Sequence, residues 1–526
     1  MTMTTTDKKK VPVRQSGVLV HPTSFPGPYG IGDLGPEAYN FIDFLVKSGQ
    51  TLWQILPLGP TDGSPYSAYS SFAGQIYLIS PEKLKEYGLL LQADLDMFYP
   101  VKGDRVNYAI VPACKDPLFK KAFQSFKLHT AKEELYEEFE TFKEEQNFWL
   151  SDYSLFMALK DYFNGESWHT WPLQIRRPDE AEKARWKERL AEEIFYIEFL
   201  QFIFFKQWFE LKAYANKNGV SIIGDIPIFV SDDSADVWAS PELFYVTEDG
   251  FPTVVSGVPP DYFSKTGQLW GNPLYKWPVH KKTGYAWWIS RIKAQITLCD
   301  ILRIDHFRAF QDYWSIPADA ESALEGHWEP GPREEFFDAV KAALGEDLPI
   351  IAEDLGLITE DVIALRDYTG LPGMKILQFA FDADPANAYL PYNITNPNCV
   401  AYTGTHDNNT TVGWYKEADE KTKDTVRRFM NTNGNQIHWD FIRTCFGTAA
   451  YKAVVPMQDI LGQDETYRMN VPGVAEGNWG YRYKKEDLTD GLAKYLLSIT
   501  KLYGRYQAPA KETDKTAKAE KETEVK

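Results

Sequence analysis

Ile301-Leu302-Arg303-Ile304-Asp305-His306-Phe307-Arg308 carries an apolar run into an acid, an imidazole and a guanidinium group. Extended chain repeats every two residues, so Ile301, Arg303 and Asp305 share one face while Leu302 and Ile304 share the other. Arg303 is then a neighbour of Asp305, and an adjacent cation favours the ionised form of a carboxylate. Taken alone, the stretch leaves two readings open. One is an Arg–Asp pair tying a strand end to a loop; the other is a nucleophile kept charged by its neighbour.

Seven further runs of the same kind flank it, at 17–21, 51–58, 221–230, 348–354, 374–381, 400–407 and 453–460, each bounded by turn residues. Helical patterns lie between most of them, for example at 36–48, 285–298, 333–344 and 361–368. Eight apolar runs alternating with helices predict an α/β fold, a (β/α)8 TIM barrel with large helical and loop insertions on its C-terminal face. The spacing between the second and third runs is too long for a simple connection. This implies a mostly helical insertion at 59–215, closed by a helical stretch at 179–217 that stops at Asn218-Gly219. The barrel itself is expected at 14–58 and 216–505, with an aromatic loop insertion at about 231–284. Segments 1–13 and 506–526 lack large apolar clusters and read as disordered ends.

Composition narrows the function classes. The chain has 526 residues, 44% hydrophobic and 25% charged, with a net charge of −18. An acidic surface opposes nucleic acid and anionic membrane faces and suits a neutral or cationic ligand. No stretch approaches the ~18 apolar residues of a membrane span, and the N-terminus has no apolar secretory core. Four cysteines, none in a C-x-x-C pair, indicate neither a disulfide framework nor a zinc site. Together these features predict a cytoplasmic setting. Aromatic residues reach 15%, and flat rings with polar handles suit the apolar faces of sugars.

The acids are better placed than composition alone requires. Asp225, Asp305, Glu353 and Asp407 fall at or near the C-terminal ends of the third, fourth, fifth and seventh runs. That end of a (β/α)8 barrel carries the active site, so these four carboxylates should converge. A divalent-cation site is one outcome for such a cluster. Arg303 beside Asp305 argues against it, and acid/base work on a glycosidic bond fits better, because that reaction needs one ionised and one protonated carboxyl group. Asp305 would be the charged member, and Glu353, preceded by Ile350-Ile351-Ala352, would be protonated through desolvation. Asp407 would steady the transition state. Asp354 should face away from Glu353 and serve as a structural hydrogen-bonding group.

Arg303-Ile304-Asp305-His306-Phe307-Arg308, Ile351-Ala352-Glu353-Asp354-Leu355-Gly356 and Thr403-Gly404-Thr405-His406-Asp407-Asn408 together resemble the 4-alpha-glucanotransferases, also called amylomaltases. Ser64-Pro65-Tyr66, Gly224-Asp225-Ile226-Pro227, Pro259-Pro260-Asp261-Tyr262-Phe263-Ser264 and Leu269-Trp270-Gly271-Asn272-Pro273-Leu274-Tyr275 extend the resemblance over about 14–505. It departs at Ala309, where Gly is expected, and at Asn409, where Asp is expected.

The resemblance implies a retaining transferase that moves α-1,4-glucan segments between maltooligosaccharides through a covalent intermediate. Asp305 is the implied nucleophile, Glu353 the acid/base and Asp407 the transition-state stabiliser. Tyr66, Asp225, Tyr262, Phe263, Gln268, Trp270, Asn272, Arg303, His406 and Asn470 are the implied substrate-binding residues. No metal or organic cofactor is expected, and the only partners implied are α-1,4-glucans and maltooligosaccharides. An α-amylase-like hydrolase is the alternative enzyme, and a non-catalytic glucan-binding barrel the alternative from another class.

Overall fold

A computed structural model describes residues 13–97, 100–101, 103–129, 132–260 and 265–507. Eight parallel strands form the central sheet: β1 (Gln15–Leu19), β2 (Leu52–Gln54), β3 (Ser221–Ile226), β4 (Ile301–Ile304), β5 (Ile350–Ala352), β6 (Gly373–Ile376), β7 (Cys399–Tyr402) and β8 (Lys452–Pro456). Their order is β6-β7-β8-β1-β2-β3-β4-β5. The ends of that order meet where Ala352 N donates to Pro372 O, one residue before β6 (2.9 Å). The result is the expected (β/α)8 barrel.

Strands covered on both faces read as continuous apolar runs. Ile222, Ile223, Leu302, Ile304, Ile351, Val400, Val454 and Val455 are all fully buried. The strands are shorter than the sequence runs because each run continues into the loop that carries the polar groups. One glycine is required by the packing of neighbouring strands. A Cβ on Gly17 would lie 2.2 Å from the Leu52 carbonyl oxygen, so only glycine lets β1 and β2 approach this closely.

Between β2 and β3 lie mainly helices, of which α1 (Glu133–Tyr162), α2 (Glu180–Arg189) and α3 (Ala191–Lys217) are the longest. The 179–217 pattern is therefore not one helix. It breaks at Leu190, the buried C-cap of α2, and α3 ends ahead of Gly219, whose φ of +79° terminates the run. Two helices pack against the barrel between β3 and β5, α4 (Ala286–Leu298) and α5 (Arg333–Leu344). Among the described residues no helix is long and apolar enough to cross a membrane.

One element corrects the sequence reading. The 231–284 region, read there as an aromatic loop, contributes strands Val254–Val258 and Gln268–Pro273 to a four-stranded antiparallel sheet completed by Asp312–Pro317 and His327–Pro330. Leu269-Trp270-Gly271 is exposed, and the ladder shifts register between Val255 and Gly257. These features hide the alternation that marks a strand.

Candidate active site

Register delivers the first contacts. Asp225 on β3 pairs with Arg303 on β4, and one N–H group of the buried guanidinium reaches both Asp225 oxygens, at 2.7 and 2.8 Å. Its other terminal nitrogen donates to Asp305 Oδ1 at 2.8 Å. Burial opposes the charge on Arg303, but the attraction of Asp225 and then Asp305 leaves its pKa raised. Arg303 thus stays a cation joining two acids. Asp305 keeps 30% of its side-chain surface open, whereas Asp225 keeps none. Of the two, only Asp305 presents an oxygen outward.

Glu353 follows β5 and is nearly buried. His306 takes a left-handed turn (φ 50°) directly after Asp305, and this aims its backbone N–H at Glu353 Oε2 (2.7 Å). Leu355 N donates to the other oxygen, Oε1 (2.8 Å). The carboxyl plane is therefore held by two backbone donors. Burial, and then the negative charge of Asp305, push its pKa up to about 8 despite those donors. Glu353 is thus held protonated at neutral pH beside Asp305, whose carboxylate is ion-paired to Arg303. Desolvation also lowers His306 to about 4, so its ring is neutral.

Asp407 sits in the loop after β7. Asn470 Nδ2 donates to its Oδ1 (2.7 Å), and His406 Nε2 lies 3.4 Å from its Oδ2. Arg468 holds the same turn through the carbonyl oxygens of Asp407 (2.6 Å) and Asn470 (2.7 Å). Tyr66 closes the other side: its hydroxyl donates to Asp225 Oδ2 (2.7 Å) and lies 2.9 Å from His406 Nε2. The Tyr66 and His406 rings stack at 5.3 Å, and Trp479 lies 5.7 Å from Tyr66. With the Tyr66 proton on Asp225, His406 Nε2–H is the donor to the hydroxyl oxygen. His406 Nδ1 then has no partner among the described residues.

The remaining sequence candidates divide. Trp270 meets His306 edge-on at 5.0 Å and donates through its indole N–H to Gln268 Oε1 (3.1 Å), so both residues reach the rim beside Asp305. Asn272 is used internally: its Nδ2 donates to Val230 O (3.0 Å) and its Oδ1 accepts from Ser256 (3.2 Å). Tyr262 and Phe263 lie outside the described residues. Asp354 points away from the site, accepting from Arg366 (2.6 Å) and from Met374 N (2.7 Å). No group of three or more His, Cys, Asp or Glu residues is arranged to hold a metal among the described residues.

Sequence reasoning passed over Arg468, and it had Trp479 only within Asn478-Trp479-Gly480, a loose likeness to the family's late substrate loop. The only signal for Arg468 was Arg468-Met469-Asn470 standing in a polar loop, and no period ties that loop to Asp407. Arg468→Ala is expected to lower kcat on a short glucan donor by up to about 10²-fold with a smaller change in KM, because a displaced Asp407 costs orientation more than binding. Steady-state kinetics separate the two, and an effect confined to KM would contradict this placement.

Comparison with known proteins agrees with this geometry. A family model described as 4-alpha-glucanotransferase matches residues 20–489. A 4-alpha-glucanotransferase of Synechocystis sp. is 50% identical over 497 residues, covering 94% of this chain and 98% of that protein. One from Thermus thermophilus is 47% identical over 485 residues, covering 90% and 96%. The solved amylomaltase from Streptococcus agalactiae in complex with acarbose superposes with a TM-score of 0.91 at 42% identity, covering 94% of this chain and all of that one. Similarity of this extent, end to end and in both sequence and fold, establishes that the chain belongs to the 4-alpha-glucanotransferase family.

Proposed function

We propose that this chain transfers segments of α-1,4-glucan between maltooligosaccharides by a retaining double displacement, with Asp305, Glu353 and Asp407 as its catalytic groups. The observation that carries this reading is the pairing of Asp305, ion-paired to Arg303, with Glu353, whose pKa of about 8 keeps it protonated near neutrality. Asp305 attacks the anomeric carbon while the glycosidic C–O bond breaks and the Glu353 proton goes to the departing oxygen. The ionised Glu353 then takes the proton of an incoming sugar hydroxyl as that oxygen replaces Asp305 at the anomeric carbon. Asp407, fixed by Asn470, accepts hydrogen bonds from ring hydroxyls and favours the oxocarbenium-like transition state. Arg303, Asp225, His406 and Tyr66 frame the same sugar, with Trp270 and Gln268 at the rim.

Incubation with maltotriose is expected to give a ladder of shorter and longer oligosaccharides, resolved by chromatography. Glucose and maltose alone would instead indicate hydrolysis by the same acids, since transfer and hydrolysis differ in whether water or a sugar reaches the intermediate. A retaining pair should also hold its carboxyl groups about 5–5.5 Å apart, against about 6.5–9.5 Å for an inverting pair.

A further inference from the structure

His406 and Asp407 lie in the segment 404–410, which runs from Thr403, just after β7, to Thr411, the first residue of the helix Thr411–Glu417. Both ends of that segment converge on one carboxyl group. Asp459, in the short helix Met457–Ile460 that follows β8, is 1% exposed. Its Oδ2 accepts from the hydroxyl groups of Thr403 (2.5 Å) and Thr411 (2.7 Å), and its Oδ1 accepts from Thr411 N (2.7 Å). Thr403 and Thr411 are both fully buried, and Asp459 has no ion pair among the described residues. Burial raises its pKa against the pull of those three donors. A carboxyl group kept from water without a cation costs stability, and a packed apolar side chain would serve the core alone better.

We infer that Asp459 is a positioning residue for the transfer reaction: by clasping both ends of segment 404–410 it fixes where His406 and Asp407 stand against the sugar. The inference rests on the role proposed above for Asp407 and adds the group that sets its place. The loop is held a second time at its tip, where Asn470 and Arg468 meet Asp407. Both of those residues follow Asp459 along the chain leaving β8, so one stretch of chain holds the loop at its base and at its tip. Between the two ends the turn is closed by its own groups, with Asn408 Oδ1 accepting from Thr405 N (2.8 Å) and Thr405 Oγ1 (2.9 Å). Gln378, just after β6, adds a bond from its Nε2 to Asn409 O (2.9 Å). A turn braced in this way moves as one piece, so its aim depends on its ends. Releasing Thr403 and Thr411 swings Asp407 without unravelling the turn, and a shift of about 1 Å at a group acting on a transition state can cost about 10²-fold in rate. Asp459, being buried beneath the loop, acts only through the two threonines.

The test uses the full chain with maltotriose as substrate, in the parent and in an Asp407→Ala background. Asp459→Ala removes the clasp. Thr403→Val removes one arm of it while keeping the carboxyl group and nearly the same shape, so it carries the test where the first variant does not fold, and thermal melting shows which variants do. In the parent background kcat is expected to fall about tenfold or more for Asp459→Ala and about threefold or more for Thr403→Val, with KM changed less than about twofold. Thr403→Ser, which keeps the hydroxyl, should recover most of what Thr403→Val loses. In the Asp407→Ala chain the group being aimed is gone, and the same substitutions should lower the residual kcat by less than about twofold. A merely structural Asp459 would cost the same factor in both backgrounds, and that result overturns the inference. So does a kcat within about twofold of the parent in every clasp variant that folds, Thr403→Ser aside, or an effect confined to KM. Undiminished kcat in Asp407→Ala alone would instead strike the catalytic role given to that residue, and with it the reading of the site.

Discussion

Asp305→Asn is expected to reduce kcat on maltotriose by at least about 10⁴-fold while the folded chain and its binding of maltooligosaccharides persist. The reason lies in how little of the fold depends on that carboxylate. Arg303 keeps both of its contacts to Asp225 when Asp305 loses its charge, so no buried cation is left unpaired. Asparagine has nearly the same shape, and the position is partly open to solvent. What it lacks is an oxygen nucleophile able to form the glycosyl ester. Thermal melting and affinity for an unreactive glucan serve as controls, and kcat above about one hundredth of the parent value with folding intact would remove Asp305 from the nucleophile's role.

Much of this architecture was legible before any coordinates. All eight barrel strands fall within or beside the apolar runs read from the sequence, because burial on both faces leaves little choice but Ile, Val and Leu. The period of two that set Arg303 beside Asp305 has its counterpart in a 2.8 Å contact. Two kinds of information were not local. Trp270 stands in a stretch full of Gly, Asn and Pro, and its membership of a strand depends on pairing with Val254–Val258, which no pattern within six residues can reveal. The partners of Asp407 and Asp225 are likewise distant: Asn470 is 63 residues from Asp407, and Tyr66 is 159 from Asp225. Chain topology alone brings them together. Asn470 illustrates the difference, since the sequence placed it among groups touching substrate and the structure aims its amide at a carboxylate.

Glu353→Gln should lower kcat/KM on maltotriose by about 10²- to 10⁴-fold and abolish the alkaline limb of its pH profile. In the parent enzyme the acid must be protonated, so activity falls as pH rises through about 8, the value set by burial and by the charge of Asp305. The limb is a property of the two interacting carboxyl groups. A glucosyl fluoride, whose leaving group departs without a proton, bypasses the missing acid in the first step, but the missing base slows the second. The glycosyl-enzyme should then accumulate, and mass spectrometry of its peptides should find the sugar on the segment containing Asp305. A sugar on Asp407 or Asp225, or an alkaline limb that survives the substitution, would overturn the assignment. The same group carries a cost in stability. Glu353 ionises near 4.5 in the unfolded chain but holds its proton to about 8 when folded, so the native state binds more protons between those values. Stability therefore falls as pH rises from 4.5 to 8 and levels off above it. Glutamine lacks this dependence, and the melting temperature of Glu353→Gln should pull ahead of the parent across that interval, by the equivalent of a few kcal/mol at most. A chain that is catalytically crippled yet more stable at pH 8 is what a strained general acid predicts.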